Sequence, residues 1–67
     1  MEERTGTILS MSSDKMNGKL RDDNDGNEYD FMNPTVVDII VSEKAIYILV
    51  SNPGTGIKKA VITGKPS

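Results

Sequence analysis

Three cations stand close together near the start of the chain, Lys15, Lys19 and Arg21. Side chains of this kind at such spacing hold phosphate groups, and charge alone gives weak, salt-sensitive binding. The same residues also read as a solvated strand face. Directly behind them lies an oxygen-rich stretch, Asp22-Asp23-Asn24-Asp25-Gly26-Asn27, faintly like a calcium loop. An EF-hand with its glycine at Gly26 would begin at Arg21 and end at Met32, where carboxylates are required, so a hairpin turn is the better reading. The chain has no His and no Cys, which removes the usual general base, thiol nucleophile and zinc ligands. Gly54-Thr55-Gly56 lacks the remaining pattern and the helix of a phosphate-binding loop. No catalytic residue, metal ligand or small-molecule cofactor is expected, and the protein is not expected to be an enzyme.

The elements that must position the cations are strands. Ile46, Ile48 and Val50 alternate with Tyr47 and Leu49, a period of two that places the β-branched residues on the expected inner face. Ala60 and Ile62 repeat the theme opposite Lys59 and Val61. Between these strands, Ser51-Asn52-Pro53-Gly54-Thr55-Gly56 is a turn cluster. Upstream, strands are expected near 5–11, 17–22 and 27–32, the last ending at Asn33-Pro34 because proline cannot donate to a central ladder. Thr35 to Lys44 is rich in β-branched residues that disfavour a helix; at most one helical turn near Pro34 is expected, then an extended stretch and a turn at Ser42-Glu43-Lys44. The last two strands fall near 44–50 and 56–63. The expected core is Ile8, Leu20, Tyr29, Phe31, Ile46, Ile48, Val50, Ala60 and Ile62.

At 67 residues the chain makes one domain, 1–67, with a frayed tail at 64–67, and must rely on a compact apolar core without disulfides. The apolar run Ala45 to Val50 is far short of a membrane span, and no signal-peptide segment follows the first residues. A cytoplasmic protein without a membrane partner is expected. Charge is unevenly spread: residues 1–21 sum to +1, residues 22–43 to −7 and residues 44–67 to +4. The acidic middle either pairs across neighbouring strands or leaves one cationic and one anionic face; cross-strand pairing is the favoured reading.

The layout Gly6-Thr7-Ile8, Lys15, Gly18 and Leu20 resembles the opening strands of cold-shock domains, small OB-type barrels that bind single-stranded nucleic acid. In that pattern Ser10 and Met11 replace an aromatic pair, Met16 replaces the first glycine of the second strand, and Asn17 and Lys19 replace its two aromatics. Ala45-Ile46-Tyr47-Ile48 resembles the fourth strand and Gly56 to Ile62 the fifth. The resemblance implies an all-β, five-stranded antiparallel barrel with cold-shock-like strand order, degenerate in most of its nucleic-acid-binding aromatics.

The third strand admits two registers. One places Tyr29 and Phe31 in the core with Asp30 and Met32 outside; the other turns Phe31 outward as a stacking residue and buries Asp30. A slip of one residue exchanges the two faces. Because an unpaired buried carboxylate is costly, the first register is favoured. Ser10, Asn17, Lys19 and Asp30 then stand where the family stacks bases. Stacking contributes about 1–3 kcal/mol per base, so losing three stacks costs on the order of 3–9 kcal/mol. The resemblance implies weak, sequence-tolerant binding of single-stranded RNA or DNA through Lys15, Lys19 and Arg21. The alternative is a protein-interaction or accessory module that keeps the barrel, in which outward Tyr47 and Leu49 would meet a protein partner.

Overall fold

The computed structural model describes residues 2–66; Met1 and Ser67, the ends of the expected domain and tail, lie outside them. Five strands form one closed barrel: β1 (Arg4–Met11), β2 (Asn17–Asp22), β3 (Glu28–Met32), β4 (Lys44–Ser51) and β5 (Lys58–Gly64). Their order around the barrel is β1-β2-β3-β5-β4, with β4 pairing back onto β1. This is consistent with an OB-like barrel. The bounds fall within two residues of those read from the turn residues, and the described residues contain no helix.

The orientation departs from the expected antiparallel sheet, because β3 and β5 run parallel, with Phe31 opposite Ala60 and Met32 opposite Val61. Topology requires such a seam. In a closed ring of five strands, neighbours cannot alternate direction all the way round. Hairpins can join only antiparallel neighbours. The seam must therefore fall at one of the two pairs that no hairpin connects, β1–β4 or β3–β5, and it falls at β3–β5. Gly64, placed in the expected tail, pairs with Ile46 at the end of β5.

Side chains of Ile8, Leu20, Phe31, Ile39, Ala45, Tyr47, Ala60 and Ile62 fill the interior. Tyr29 packs against them and Asp30 is exposed, which is the favoured register of the third strand. In β4 the expected faces are exchanged. Ala45 and Tyr47 are buried and Leu49 packs against the core, whereas Ile46 and Ile48 are only half-buried and Val50 lies outside. Alternation was sound and its phase was not. The barrel closes at Gly6, which lies opposite Ala45; a Cβ on Gly6 would sit 3.1 Å from the Tyr47 ring. Two minimal residues thus leave room for one large ring. Gly18 is tighter still, because a Cβ there would meet the Ser10 carbonyl at 2.2 Å and the Phe31 ring at 2.7 Å.

Residues 33–43 close the end of the barrel beside the β1–β2 turn. Asn33 anchors them from a buried position. Its side-chain amide donates to the carbonyls of Lys15 and Val37, each at 3.0 Å, and its Oδ1 accepts from the Val37 N–H at 2.9 Å. Ile39 enters the core. Turns form at Pro34–Thr35 and at Val41–Ser42, the second slightly ahead of its expected position. Val36 has φ 51°, a left-handed conformation rare for a β-branched side chain.

Candidate functional site

A β-bulge in β1 shifts the register between Ile8 and Ser10, so Ile8 opposes Leu20 while Ser10 opposes Lys19. The extra residue keeps Met11 packed on the core and turns Ser10 to solvent. Lys19 in turn opposes Asp30. A row of exposed polar residues, Ser10, Lys19 and Asp30, therefore crosses the outer face of β1–β3. One step along the strands, Arg21 opposes Glu28, and its Nη2 lies 3.4 Å from Glu28 Oε2. Lys15 does not join this face. It occupies the β1–β2 turn with φ 62°, and its Nζ donates to Asp38 Oδ1 at 2.9 Å. The hydrogen bond from Lys15, helped by the charges of Lys15 and Lys65, holds the Asp38 carboxyl below its ordinary range. Of the three cations named from sequence, two share the outer face of β2, and Lys19 alone makes no ion pair among the described residues.

The acidic middle of the chain is paired internally. Lys44 reaches Asp23 at 3.0 Å, Lys65 reaches Glu43 at 3.7 Å, and Arg4 reaches both Asp22 and Asp25 at 3.4 Å. Exposed pairs of this kind are each worth little. Their consequence lies in the field, since with the pairs of Lys15 and Arg21 they offset five of the cations with nearby carboxylates.

Sequence reasoning missed Asp22, which is buried at the end of β2. Its Oδ1 accepts the N–H groups of Asn24 at 2.8 Å and Asp25 at 3.1 Å. Its Oδ2 accepts the Tyr47 hydroxyl and, at 3.4 Å, Arg4 Nη1. Burial is the largest influence and opposes ionisation, yet the donors together outweigh it and hold this carboxyl below its ordinary value. Burial, and then the bond to Asp22, push the Tyr47 hydroxyl up. Two signals were present in the sequence: an Asp placed two residues before Asn24 in a turn, and a tyrosine in an apolar strand whose hydroxyl needs a partner if buried. The described residues contain no buried side-chain polar atom without a partner.

No protein-family model matches this chain, and no curated protein or solved structure matches it.

All three aromatic residues are turned toward the interior: Phe31 and Tyr47 are buried, and Tyr29 stacks obliquely on Tyr47 with ring centroids 6.4 Å apart. Apolar surface instead emerges beside the parallel seam. Met32 and Val61 oppose one another there, and the β4–β5 hairpin rises over them. Together with Val50, Pro53, Ile57 and Lys59 they line an open groove of about 510 Å³. Ile57 is 67% exposed, Val50 45% and Met32 40%. The hairpin tip is held by its own hydrogen bonds: the Asn52 carbonyl accepts from Gly56 at 2.7 Å, the Asn52 N–H donates to the Ile57 carbonyl at 3.0 Å, and Asn52 Oδ1 accepts from Gly54 at 2.9 Å. Gly56 supplies the positive φ, 73°, that the tip requires. The outward turn of Met32 follows from the favoured register of the third strand, but the outward Val50 and the groove itself were not assembled from sequence, because the groove depends on the β3–β5 seam. The described residues contain no helix long and apolar enough to cross a membrane.

Proposed function

We propose that this chain is a cold-shock-like, OB-type module that docks a protein partner through the groove at the β3–β5 seam. One observation carries the reading. Every aromatic ring is committed to the core, while exposed apolar side chains gather along the β3–β5 seam and the ordered β4–β5 hairpin. Contiguous exposed apolar surface rimmed by polar residues marks interaction sites. On this reading the barrel has no catalytic role, and Tyr47 and Leu49 support the core without meeting the partner.

A second reading keeps single-stranded nucleic acid as the partner. Lys19, Lys58 and Lys59 support it, since none makes an ion pair among the described residues. Binding would then be weak and would fall steeply with salt. Asp30 and Glu28, which oppose the cations of β2, argue against it. A photo-crosslinking side chain placed at Ile57, and separately at Lys19, distinguishes the two in cells. Docking of a protein gives a protease-sensitive, nuclease-resistant adduct from position 57 and little from position 19. A nuclease-sensitive adduct from position 19 alone would overturn the proposal.

A further inference from the structure

The chemistry of the groove narrows what occupies it. Its apolar lining is aliphatic, made by Met32, Val50, Ile57 and Val61. Lys59 is the charged side chain in the lining. It lies opposite Val50 on the outer face of the barrel and makes no ion pair among the described residues. No carboxylate lines the groove, and residues 44–66 carry lysines without any acid. An aliphatic lining with a single unpartnered cation complements a segment that alternates apolar side chains with a carboxylate.

Resting on the docking function proposed above, we infer that the occupant is an extended segment of a partner protein bearing an acidic residue, whose carboxylate pairs with Lys59 while apolar side chains lie on Met32 and Val61. The groove contains no ring on which a base can stack, and ring stacking is one of the two contributions, beside charge, by which single strands bind without sequence preference. A second copy of this chain seated groove on groove about a two-fold axis would bring together two linings without a carboxylate and leave each Lys59 without an acidic partner, which disfavours self-pairing.

The test is a charge swap followed by amide shifts on the whole protein. One probe is a short synthetic peptide of alternating leucine and serine with a central glutamate. A second probe carries lysine at that position, and a third is a short oligothymidine strand. The glutamate peptide should shift the amides of Val50, Ile57, Lys59 and Val61, and should bind about tenfold more tightly than the lysine peptide. Lys59→Glu should reverse that order, and its unchanged amide spectrum elsewhere verifies the fold. Equal binding of both peptides in the groove would overturn the inference about charge and leave protein docking standing. Peptide shifts confined to another surface, or none at all, would overturn the assignment of the groove. Displacement of the glutamate peptide by oligothymidine would overturn both the inference and the docking function.

Discussion

At Asp22 two opposed influences meet, and their balance sets how the barrel responds to pH. Burial disfavours the charged carboxylate, whereas donors from Tyr47, Asn24, Asp25 and Arg4 favour it and prevail. A carboxyl whose pKa is lowered on folding stabilises the fold fully above its unfolded pKa, about 3.9. That contribution disappears as pH falls through the lower folded value. Tyr47 works in the opposite sense: its raised pKa contributes stability below about pH 10 that is lost as pH climbs through the folded value. Tyr47→Phe removes the donor and keeps the ring. It should cost about 1.5–3 kcal/mol at neutral pH, the range for a hydrogen bond to a charged group. It should also raise the Asp22 pKa toward its ordinary value and flatten the loss of stability between about pH 4 and the acid limit. Thermal melts of both proteins from acid to neutral pH check this; parallel profiles would show that the hydroxyl does not hold the carboxylate.

At the scale of the element, the strand boundaries were legible because Asn33-Pro34, Asp25-Gly26 and Asn52-Pro53-Gly54 interrupt the chain with chemistry a ladder cannot use. The face of β4 was less legible. Ile46, Ile48 and Val50 and the set Ala45, Tyr47 and Leu49 are both apolar, so alternation shows two faces without saying which is inside. Gly6 opposite Ala45 decides it, and that pairing joins strands far apart in the chain. The 33–43 segment was hidden for a related reason: its β-branched run fits a strand or a loop, and Ile39 becomes core only because Asn33 fastens the segment over the open end. Ile39→Ala should therefore cost about 2–5 kcal/mol, as for a buried strand residue, although Ile39 lies in no strand. Ile48→Ala, on the outer face, should cost about 1 kcal/mol. Denaturant melts of the two variants test the assignment, and a larger loss at Ile48 would contradict the observed phase of β4.

At the scale of the whole molecule, the parallel seam and the internal pairing of charge decide which surface is left for function. The three cations were visible in the sequence, but their neutralisation was not, because it depends on which acids β3 and the 33–43 segment bring opposite them. Arg21 meets Glu28, Lys15 meets Asp38, and Lys19 shares its row with Asp30. The barrel is OB-like, with Gly18 packed too tightly for any side chain, and the exposed row of its β1–β3 face sets acids opposite Lys19 and Arg21 and carries no ring. If an absent ring and an opposing acid limit single-strand binding at this face, changing both at one position should increase it. Asp30→Phe does so, since it removes the carboxylate beside Lys19 and supplies a ring on the exposed face of β3. One stacked base is worth about 1–3 kcal/mol, which corresponds to roughly five- to a hundredfold in affinity for a single strand. The gain should be measurable by fluorescence anisotropy with labelled oligothymidine at low salt. It should shrink as salt rises and be reduced by Lys19→Glu in the same background, while groove binding of the glutamate peptide stays unchanged. An Asp30→Phe barrel that folds normally and gains nothing would show that the ring and the opposing acid do not limit binding at this face.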